Sequence, residues 1–235
     1  MADTLALHPV FTRWTLRHPE RLQLFTAPTP NGVKVSILLE ELGRPYEAHR
    51  VDIGRGDTAT PEFRALNPNG KLPAILDPDG PGKRPFALWE SGAILLYLAE
   101  AEGRLIGWDA AGRMAALQWL MFQMSAVGPI FGQVGWFHRF DGRRIEDPRP
   151  KERYVAEARR LLSVLDDRLT RSEWIAGDSY TIADIATIGW VWTLTEYYDA
   201  ADLVTLPSFA AVDRWRRACL ARPAVQRGLT VGAAT

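Results

Sequence analysis

A short polar turn holds the first residues that could do chemistry. Residues 27–32 read Ala-Pro-Thr-Pro-Asn-Gly, between an apolar strand-like run at 22–26 and an amphipathic helix at about 32–42. Two prolines stiffen such a turn, and glycine lets the backbone start a helix without a side-chain clash. The tip then presents N–H groups at the positive end of a helix dipole, which attract an anion, including a thiolate. Thr29 and Asn31 add a hydroxyl and an amide there.

The elements that must position this turn follow from the pattern of residues 21–103. Alternation and turn residues predict strands at 22–26, 46–52, 72–77 and 86–89. Helical spacing and capping residues predict helices at 32–42, 61–66 and 91–102. This order, a βαβ unit followed by a hairpin and a helix, is the thioredoxin-like α+β arrangement. Residues 1–20 are predicted to form an extended arm that packs through its aromatic side chains.

From about residue 108 onward the strand signals vanish. Helices are predicted at 109–127, with a kink or break at Gly128-Pro129 and resumption to about 138, and then at 151–169, 181–192 and 208–221. The chain is therefore predicted to have an arm at 1–20, a thioredoxin-like domain at 21–103 and an all-helical domain at 108–228.

Composition limits the classes of function. The 28 basic and 28 acidic residues give no net charge, which argues against a general binder of nucleic acid or membrane surfaces. A single cysteine, Cys219, excludes an intrachain disulfide and a cysteine-rich metal site, and the histidines lack metal-ligand spacing. The N-terminus does not read as a signal peptide, and no apolar run approaches the roughly 18 residues of a membrane span. We expect a soluble cytoplasmic protein without a metal.

The two-domain order resembles the cytosolic glutathione transferase superfamily over residues 22–225. Three motifs carry the resemblance. Asn-Gly-Lys-Leu-Pro at 69–73 places Pro73 where the family has a cis-proline, Glu90-Ser91 matches its γ-glutamyl clamp, and Thr181 with Asp184 matches its structural capping motif. Thr-Pro-Asn-Gly at 29–32 followed by Leu-Glu-Glu-Leu at 39–42 is similar to the nu class and its fungal relatives. Residues 119–123, 128–133 and 152–154 carry further matches to that class.

This resemblance implies a glutathione site in the first domain. Thr29 and Asn31 would stabilise the glutathione thiolate, since the nu class lacks the Tyr, Ser or Cys that other classes use at the first turn. Glu90 would hold the ammonium of the γ-glutamyl group, and Ser91 its carboxylate. Further contacts are expected from Lys71 to the glycine carboxylate, from the backbone of Leu72 before Pro73, and from Thr58, which stands where the nu class carries Gln.

The resemblance also implies residues for a second glutathione and for the acceptor. Arg153, in the Glu-Arg-Tyr motif, is placed near a second glutathione, and Gln133 is expected to bind glutathione and to border the acceptor pocket. Trp136, Phe137 and His138 are expected to face that pocket. The family's usual two-fold assembly predicts a homodimer.

The predicted function is a glutathione-dependent disulfide-bond oxidoreductase with weak transferase activity. A conventional glutathione S-transferase that conjugates a hydrophobic electrophile remains an alternative, as does a non-catalytic glutathione-binding regulator. Ordinary structural interpretations also stay open. Thr29 and Asn31 suit a plain turn, Lys71 and Arg153 could be solvated charges, and Cys219 is expected to be an inert packing residue.

Overall fold

The computed structural model describes residues 5–233, which divide into two compact units. One unit contains the residues through Leu98 together with those from Ala224 onward, and the other is Ala99–Pro223. The sequence places the boundary at 103–108 instead and keeps the residues to 228 with the helical domain. Residues 1–4 of the predicted arm lie outside the described residues.

The first unit is built on a four-stranded mixed sheet of thioredoxin type, as predicted. Its strands lie in the order β2-β1-β3-β4, with β1 parallel to β2 and the other pairs antiparallel. Their bounds are Leu22–Thr26 for β1, Tyr46–Arg50 for β2, Ala74–Gly80 for β3 and Arg84–Trp89 for β4. The accompanying helices are Gly32–Leu42 (α1), Pro61–Leu66 (α2) and Ser91–Glu102 (α3), the last of which continues into the second unit.

Strand β3 begins and ends later than the predicted 72–77. Proline cannot donate a hydrogen bond to the neighbouring strand, and the ladder begins after Pro73, where Ala74 pairs with Phe25. Residues 78–80, which lie between the two predicted strands, belong to β3, since its pairing with β4 resumes between Gly80 and Arg84 after an irregularity that follows Asp77. The hairpin itself is confirmed.

The N-terminal arm packs on the sheet. The path is not extended throughout, because residues 5–6 are helical and Pro9–Thr12 form a 3₁₀ turn. Leu5 and Val10 are fully buried in a cluster that includes Phe25 and Phe63. The Trp14 indole donates to the carbonyl of Arg50 at 2.9 Å. The described part of the arm therefore belongs to the core of this unit.

The second unit is helical, as predicted. Its helices are Ala110–Phe122 (α4), Gly128–Arg139 (α5), Arg149–Leu169 (α6), Ile182–Trp192 (α7) and Ala210–Leu220 (α8). A further helix, Pro223–Gly228 (α9), was not predicted. Apart from Pro223, α9 belongs to the first unit, where the carbonyl of Gly228 accepts a hydrogen bond of 2.6 Å from the Ser36 hydroxyl.

Of the kink or break predicted at Gly128-Pro129, the break does not occur, because residues 110–139 form one continuous helical run. A π-helical turn, Gln123–Val127, connects α4 to α5, and the Gly128 N–H bonds to the carbonyl of Gln123 five residues earlier. Pro129 then falls in the first turn of α5, directly after the π-helical turn. A wide turn of this kind lets the chain pass a proline without ending the helix.

The apolar stretch from α4 to α5 is longer than the sequence predicts, since no apolar run was expected to approach the length of a membrane span. Within the described residues, Ala110–Arg139 is one helical run of 30 residues that is long and apolar enough to cross a membrane. About 33% of its most apolar window is buried. The run packs against α6 and α7 within the helical unit, and core helices of water-soluble folds meet the same criterion.

The predicted capping motif fixes the start of α7. The Thr181 hydroxyl accepts from the Ala183 N–H at 3.3 Å, and the Asp184 carboxylate accepts from the Thr181 N–H at 2.9 Å. The same carboxylate accepts from the Ile175 N–H and the Trp215 indole, each at 2.9 Å. Burial nevertheless raises the pKa of Asp184 to about 6. The structural role predicted for Thr181 and Asp184 is confirmed.

Candidate functional site

One row of paired residues brings the three predicted motifs to a single edge of the sheet. Phe25 in β1 pairs with Ala74 in β3, and Ala74 pairs with Trp89 in β4. Because β3 runs antiparallel to both neighbours, its beginning lies beside their ends. The turn at 27–32, the loop at 69–73 and the Glu90-Ser91 pair therefore meet at this edge.

Thr29 connects the turn to helix α1. Its hydroxyl oxygen accepts from the backbone N–H of Gly32 at 3.0 Å, and its carbonyl accepts from the Val33 N–H at 3.0 Å. A hydroxyl that accepts in this way still has its own hydrogen to donate. Across residues 5–233 no protein group receives that hydrogen. The half-buried Thr29 side chain can therefore donate to a ligand at the tip of α1.

Gly32 is required by the close packing of this tip. A Cβ atom at this position would clash with the carbonyl oxygen of Ala27 and lie 2.6 Å from the Thr26 hydroxyl. Asn31, immediately before the helix, is partly exposed, and its side chain does not cap α1. The turn thus presents a hydroxyl and an amide group beside the positive end of a helix.

The loop before β3 is held by a buried amide. Asn67 is 2% exposed, donates to the carbonyl of Lys71 at 2.6 Å and accepts from the backbone N–H of Asn69 at 2.9 Å. The peptide bond between Leu72 and Pro73 is cis, as the family resemblance predicts. The Lys71 side chain is exposed.

Thr58 lies next to the same loop. Gly70 adopts a φ of +63°, and a Cβ atom on it would lie 2.9 Å from the carbonyl oxygen of Thr58. Asp57 anchors the Thr58 segment, because its carboxylate accepts from the Asp52 N–H at 2.8 Å and forms an ion pair with Arg13. The structure therefore brings Thr58 and the loop at 69–73 together.

Glu90 and Ser91 form the turn from β4 into α3. Glu90 has a φ of +71°, an uncommon conformation for a residue other than glycine and one that clusters at functional sites. Ser91 is the first residue of α3 and is 2% exposed. The first-turn N–H groups of a helix attract an anion. An exposed carboxylate beside such a turn suits a ligand that carries an ammonium and a carboxylate on one carbon.

Lys34 is part of this corner and was missed by the sequence analysis. Its side chain is fully buried, and its Nζ donates to the Ser91 hydroxyl oxygen at 3.3 Å. Burial lowers the pKa of Lys34 to about 7, and the Glu90 carboxylate opposes this decrease. The available signal was a lysine at the third position of a helix whose neighbouring positions, Val33 and Val35, are apolar.

In the second unit, the aromatic residues of α5 pack against α6. Phe137 stacks on Tyr154 with ring centroids 5.5 Å apart, and Trp136 meets Phe137 edge-on at 4.7 Å. Arg153 and Tyr154 line an open groove of about 420 Å³ together with Ile130 and residues of α6. The structure thus places Trp136 and Phe137 close to the helix that carries Arg153.

His138 and Gln133 have different surroundings. The Nε2 atom of His138 lies 3.3 Å from the carbonyl oxygen of Asp199, so this ring faces the turn that follows α7. Gln133 is exposed on α5, one turn before Phe137. The structure does not bring His138 to the Phe137–Tyr154 contact, and its place in an acceptor pocket stays a prediction.

The remaining candidate for chemistry, the single thiol, is a buried side chain. Cys219 is fully buried in α8. Over residues 5–233, no group of three or more His, Cys, Asp or Glu side chains is arranged to hold a metal ion. The chemistry at the sheet edge therefore depends on hydroxyl, amide, ammonium and carboxylate groups and on two helix N-termini.

Comparisons with known proteins agree with this arrangement. The family model for the glutathione S-transferase N-terminal domain matches residues 29–101, and the model for the C-terminal domain matches residues 132–223. The disulfide-bond oxidoreductase YfcG of Escherichia coli is 41% identical over 211 residues, which cover 88% of this chain and 94% of YfcG.

Two solved structures are closely similar over almost the whole chain. A glutathione transferase family member from Pseudomonas fluorescens, with two glutathione molecules bound, is 55% identical with a TM-score of 0.94 and covers 96% of this chain and 99% of that one. A glutathione transferase from Pseudomonas putida, with one glutathione disulfide per subunit, is 55% identical with a TM-score of 0.94 and covers 96% of this chain and 97% of that one.

Proposed function

The chain belongs to the glutathione S-transferase family, and we propose that it reduces disulfide bonds with two glutathione molecules, whose own thiols carry the reaction. The single observation that carries this proposal is the Thr29 hydroxyl, which accepts from Gly32 and keeps its hydrogen for a ligand at the tip of α1. The name of the Escherichia coli relative and the ligands of the two Pseudomonas structures support it.

The sheet edge offers one partner for each charged group of glutathione. Glu90 receives the γ-glutamyl ammonium, and Ser91 with the first turn of α3 receives the γ-glutamyl carboxylate. The backbone of Leu72 pairs with the cysteinyl residue as an added strand would. Lys71 neutralises the glycine carboxylate, and Thr58 borders the same end.

Thr29 and Asn31 are the proposed catalytic residues, because they stabilise the thiolate. A free thiol with a pKa of about 8.5 is only about 3% ionised at pH 7, and lowering that pKa by two units requires about 2.7 kcal/mol. One hydrogen bond to a charged group contributes roughly 1.5–3 kcal/mol. The helix N-terminus adds roughly 0.3–1 kcal/mol. Oriented dipoles therefore suffice without a general base.

The reaction is ordinary thiol–disulfide exchange. The first glutathione thiolate attacks one sulfur of the substrate disulfide, forms a mixed disulfide and releases the other sulfur as a thiolate that takes up a proton. A second glutathione thiolate then attacks the glutathione sulfur of the mixed disulfide. Two electrons pass to the substrate, which leaves as two thiols, and glutathione disulfide is the oxidised product.

The second glutathione and the acceptor are assigned to the helical unit. Arg153 and Gln133 are the proposed contacts for the second glutathione, and Trp136, Phe137 and His138 the proposed acceptor residues. The exposed guanidinium of Arg153 beside the Tyr154 ring suits a carboxylate ligand. This activity belongs in the cytoplasm, where glutathione is kept reduced.

A homodimer is also part of the proposal. Helix α4 exposes Met114 and Met121, which are 59% and 52% accessible and lie seven residues apart on one face of the helix. An exposed apolar stripe of this kind suits contact with a second copy of the chain. Sedimentation of wild type and of Met114→Glu/Met121→Glu tests this point. A dimer for wild type and a monomer for the variant are expected.

The experiment that tests the function compares two reactions of the same enzyme. One is the reduction by glutathione of a mixed disulfide, coupled to glutathione reductase, and the other is the conjugation of glutathione to an aryl chloride. We expect disulfide reduction to be the much faster reaction. Faster conjugation would make the chain a conventional transferase. Absence of both reactions with glutathione bound would indicate a binding regulator.

A further inference from the structure

Lys34 is a charged residue with buried apolar neighbours along its helix. Its neighbours on α1, Val33 and Val35, are fully buried, and so is Lys34. Burying an ammonium group is costly, and replacing a buried ion by an apolar side chain of similar volume often stabilises a protein. Packing alone therefore gives no reason for a lysine at this position.

The contacts of Lys34 join it to the corner formed by Glu90 and Ser91. An ammonium group can only donate, so the Ser91 hydroxyl oxygen is the acceptor of the 3.3 Å bond from Nζ. Accepting a hydrogen bond from a cation polarises a hydroxyl and strengthens the bond that this hydroxyl donates in turn. The Glu90 carboxylate adds an attractive charge interaction with Lys34.

We propose that Lys34 is a positioning residue for the γ-glutamyl end of glutathione, whose buried ammonium holds the Ser91 hydroxyl and balances the carboxylate bound there. This inference rests on the proposed glutathione site. The ligand brings one ammonium and one carboxylate to a corner that already holds one carboxylate, that of Glu90. Lys34 supplies the second cation, so that each carboxylate faces an ammonium.

This arrangement links binding to a proton. In the free protein, burial brings the pKa of Lys34 to about 7, with Glu90 opposing the decrease. A ligand carboxylate at Ser91 favours the charged form of Lys34 further, while the ligand ammonium beside Glu90 acts in the opposite direction over a longer distance. Lys34 therefore takes up a proton when the ligand binds. The affinity decreases as the pH rises above 7.

The test measures binding alone, with a probe that lacks a titrating thiol. S-methylglutathione and an analogue whose γ-glutamyl group is replaced by γ-aminobutyryl, and which therefore lacks the α-carboxylate, are titrated calorimetrically between pH 6 and 8.5. For wild type, we expect the affinity for S-methylglutathione to decrease over this range and the weaker affinity for the analogue to stay constant or increase slightly. This comparison needs no variant.

Lys34→Met retains the length of the side chain and removes its charge. We expect it to weaken S-methylglutathione binding about tenfold to a hundredfold, as loss of a charged hydrogen bond does. Binding of the analogue should change less than about threefold. The pH dependence of S-methylglutathione binding should disappear. The melting temperature should be unchanged or higher. Lys83→Met, an exposed lysine in the β3–β4 hairpin, is the matched control and should behave as wild type.

Three results would overturn the assignment of Lys34. They are equal weakening for both ligands, unchanged affinity with a lower melting temperature, and a pH dependence that persists in Lys34→Met. The proposed function fails separately, if wild type binds S-methylglutathione with the expected carboxylate dependence but does not reduce disulfides. Absence of binding by wild type would overturn both.

Discussion

The hydroxyl oxygen of Thr29 lies 3.0 Å from the backbone nitrogen of Gly32 and accepts its hydrogen. One side chain thereby performs two tasks. It caps a helix, which contributes stability, and its own hydrogen is left to donate to the anion that we propose binds at the tip of α1. The two tasks can be separated by measuring stability and rate on the same variants.

The first prediction compares Thr29→Ser with Thr29→Val. Serine keeps the hydroxyl and should preserve both activity and stability. Valine has the same shape without the hydroxyl, so unfolding in urea should show a loss of about 1 kcal/mol for the missing cap. The rate of disulfide reduction at pH 7 should fall about tenfold to a hundredfold, because the bound thiol loses one charged hydrogen bond. A Thr29→Val variant with the wild-type rate would remove Thr29 from the mechanism.

Asn31→Asp puts a negative charge next to the proposed thiolate. An acidic residue at a helix N-terminus is favourable, so stability should be unchanged or slightly higher, by up to about 1 kcal/mol. The thiolate should be disfavoured, and the pH at which the rate is half-maximal should rise by about one unit or more. Pre-steady-state rates between pH 5 and 9 measure this shift. An unchanged pH profile would place the Asn31 side chain away from the sulfur.

Gly32→Ala tests the packing of the turn. The added methyl group would clash with the carbonyl oxygen of Ala27 and crowd the Thr26 hydroxyl. We expect a loss of stability of about 1–3 kcal/mol, as for overpacked core positions, and weaker glutathione binding because the tip of α1 must shift. Gly43→Ala at the other end of α1 is the matched control. Its added methyl group meets no atom within 4 Å, although its φ of +67° is unfavourable for alanine.

Asp184 should make stability depend on pH. Burial raises its pKa from 3.8 to about 6 in the folded protein. A raised pKa means that the folded state binds the proton more tightly than the unfolded state. The contribution of this proton to the free energy of unfolding is nearly complete below about pH 4 and is lost as the pH rises through 6. Asp184→Asn cannot titrate, so the difference in unfolding free energy between wild type and variant should fall by roughly 2–3 kcal/mol between pH 4 and 7.5. A constant difference would mean that the hydrogen bonds to this carboxylate from Ile175, Thr181 and Trp215 keep it ionised throughout.

Helix ends and the thioredoxin-like order were predictable because their causes lie close together in sequence. Thr60 before Pro61 starts α2, and Gly43 ends α1 with a φ of +67°. Asp109 caps α4 through the Gly112 N–H at 2.7 Å. The continuous passage through Gly128-Pro129 was not predictable, because a π-helical turn leaves no local pattern and depends on packing.

The residues of the candidate site likewise divide into those that the sequence predicts and those that it does not. The turn at 29–32, the cis-proline and the Glu90-Ser91 pair are contiguous motifs, and the sheet register brings them to one edge. Lys34 was missed because its significance comes from Ser91, 57 residues away. The direction of the His138 ring toward Asp199 likewise depends on tertiary structure.

The most direct test of the central claim uses a protein without any cysteine. Cys219 is the only cysteine of the chain, so Cys219→Ala removes every protein sulfur that could exchange with a disulfide. Disulfide reduction by glutathione is measured for this variant and for wild type, with circular dichroism to confirm that both are folded. We expect equal rates, because both reacting thiols belong to glutathione. A folded Cys219→Ala variant that has lost disulfide reduction would contradict it.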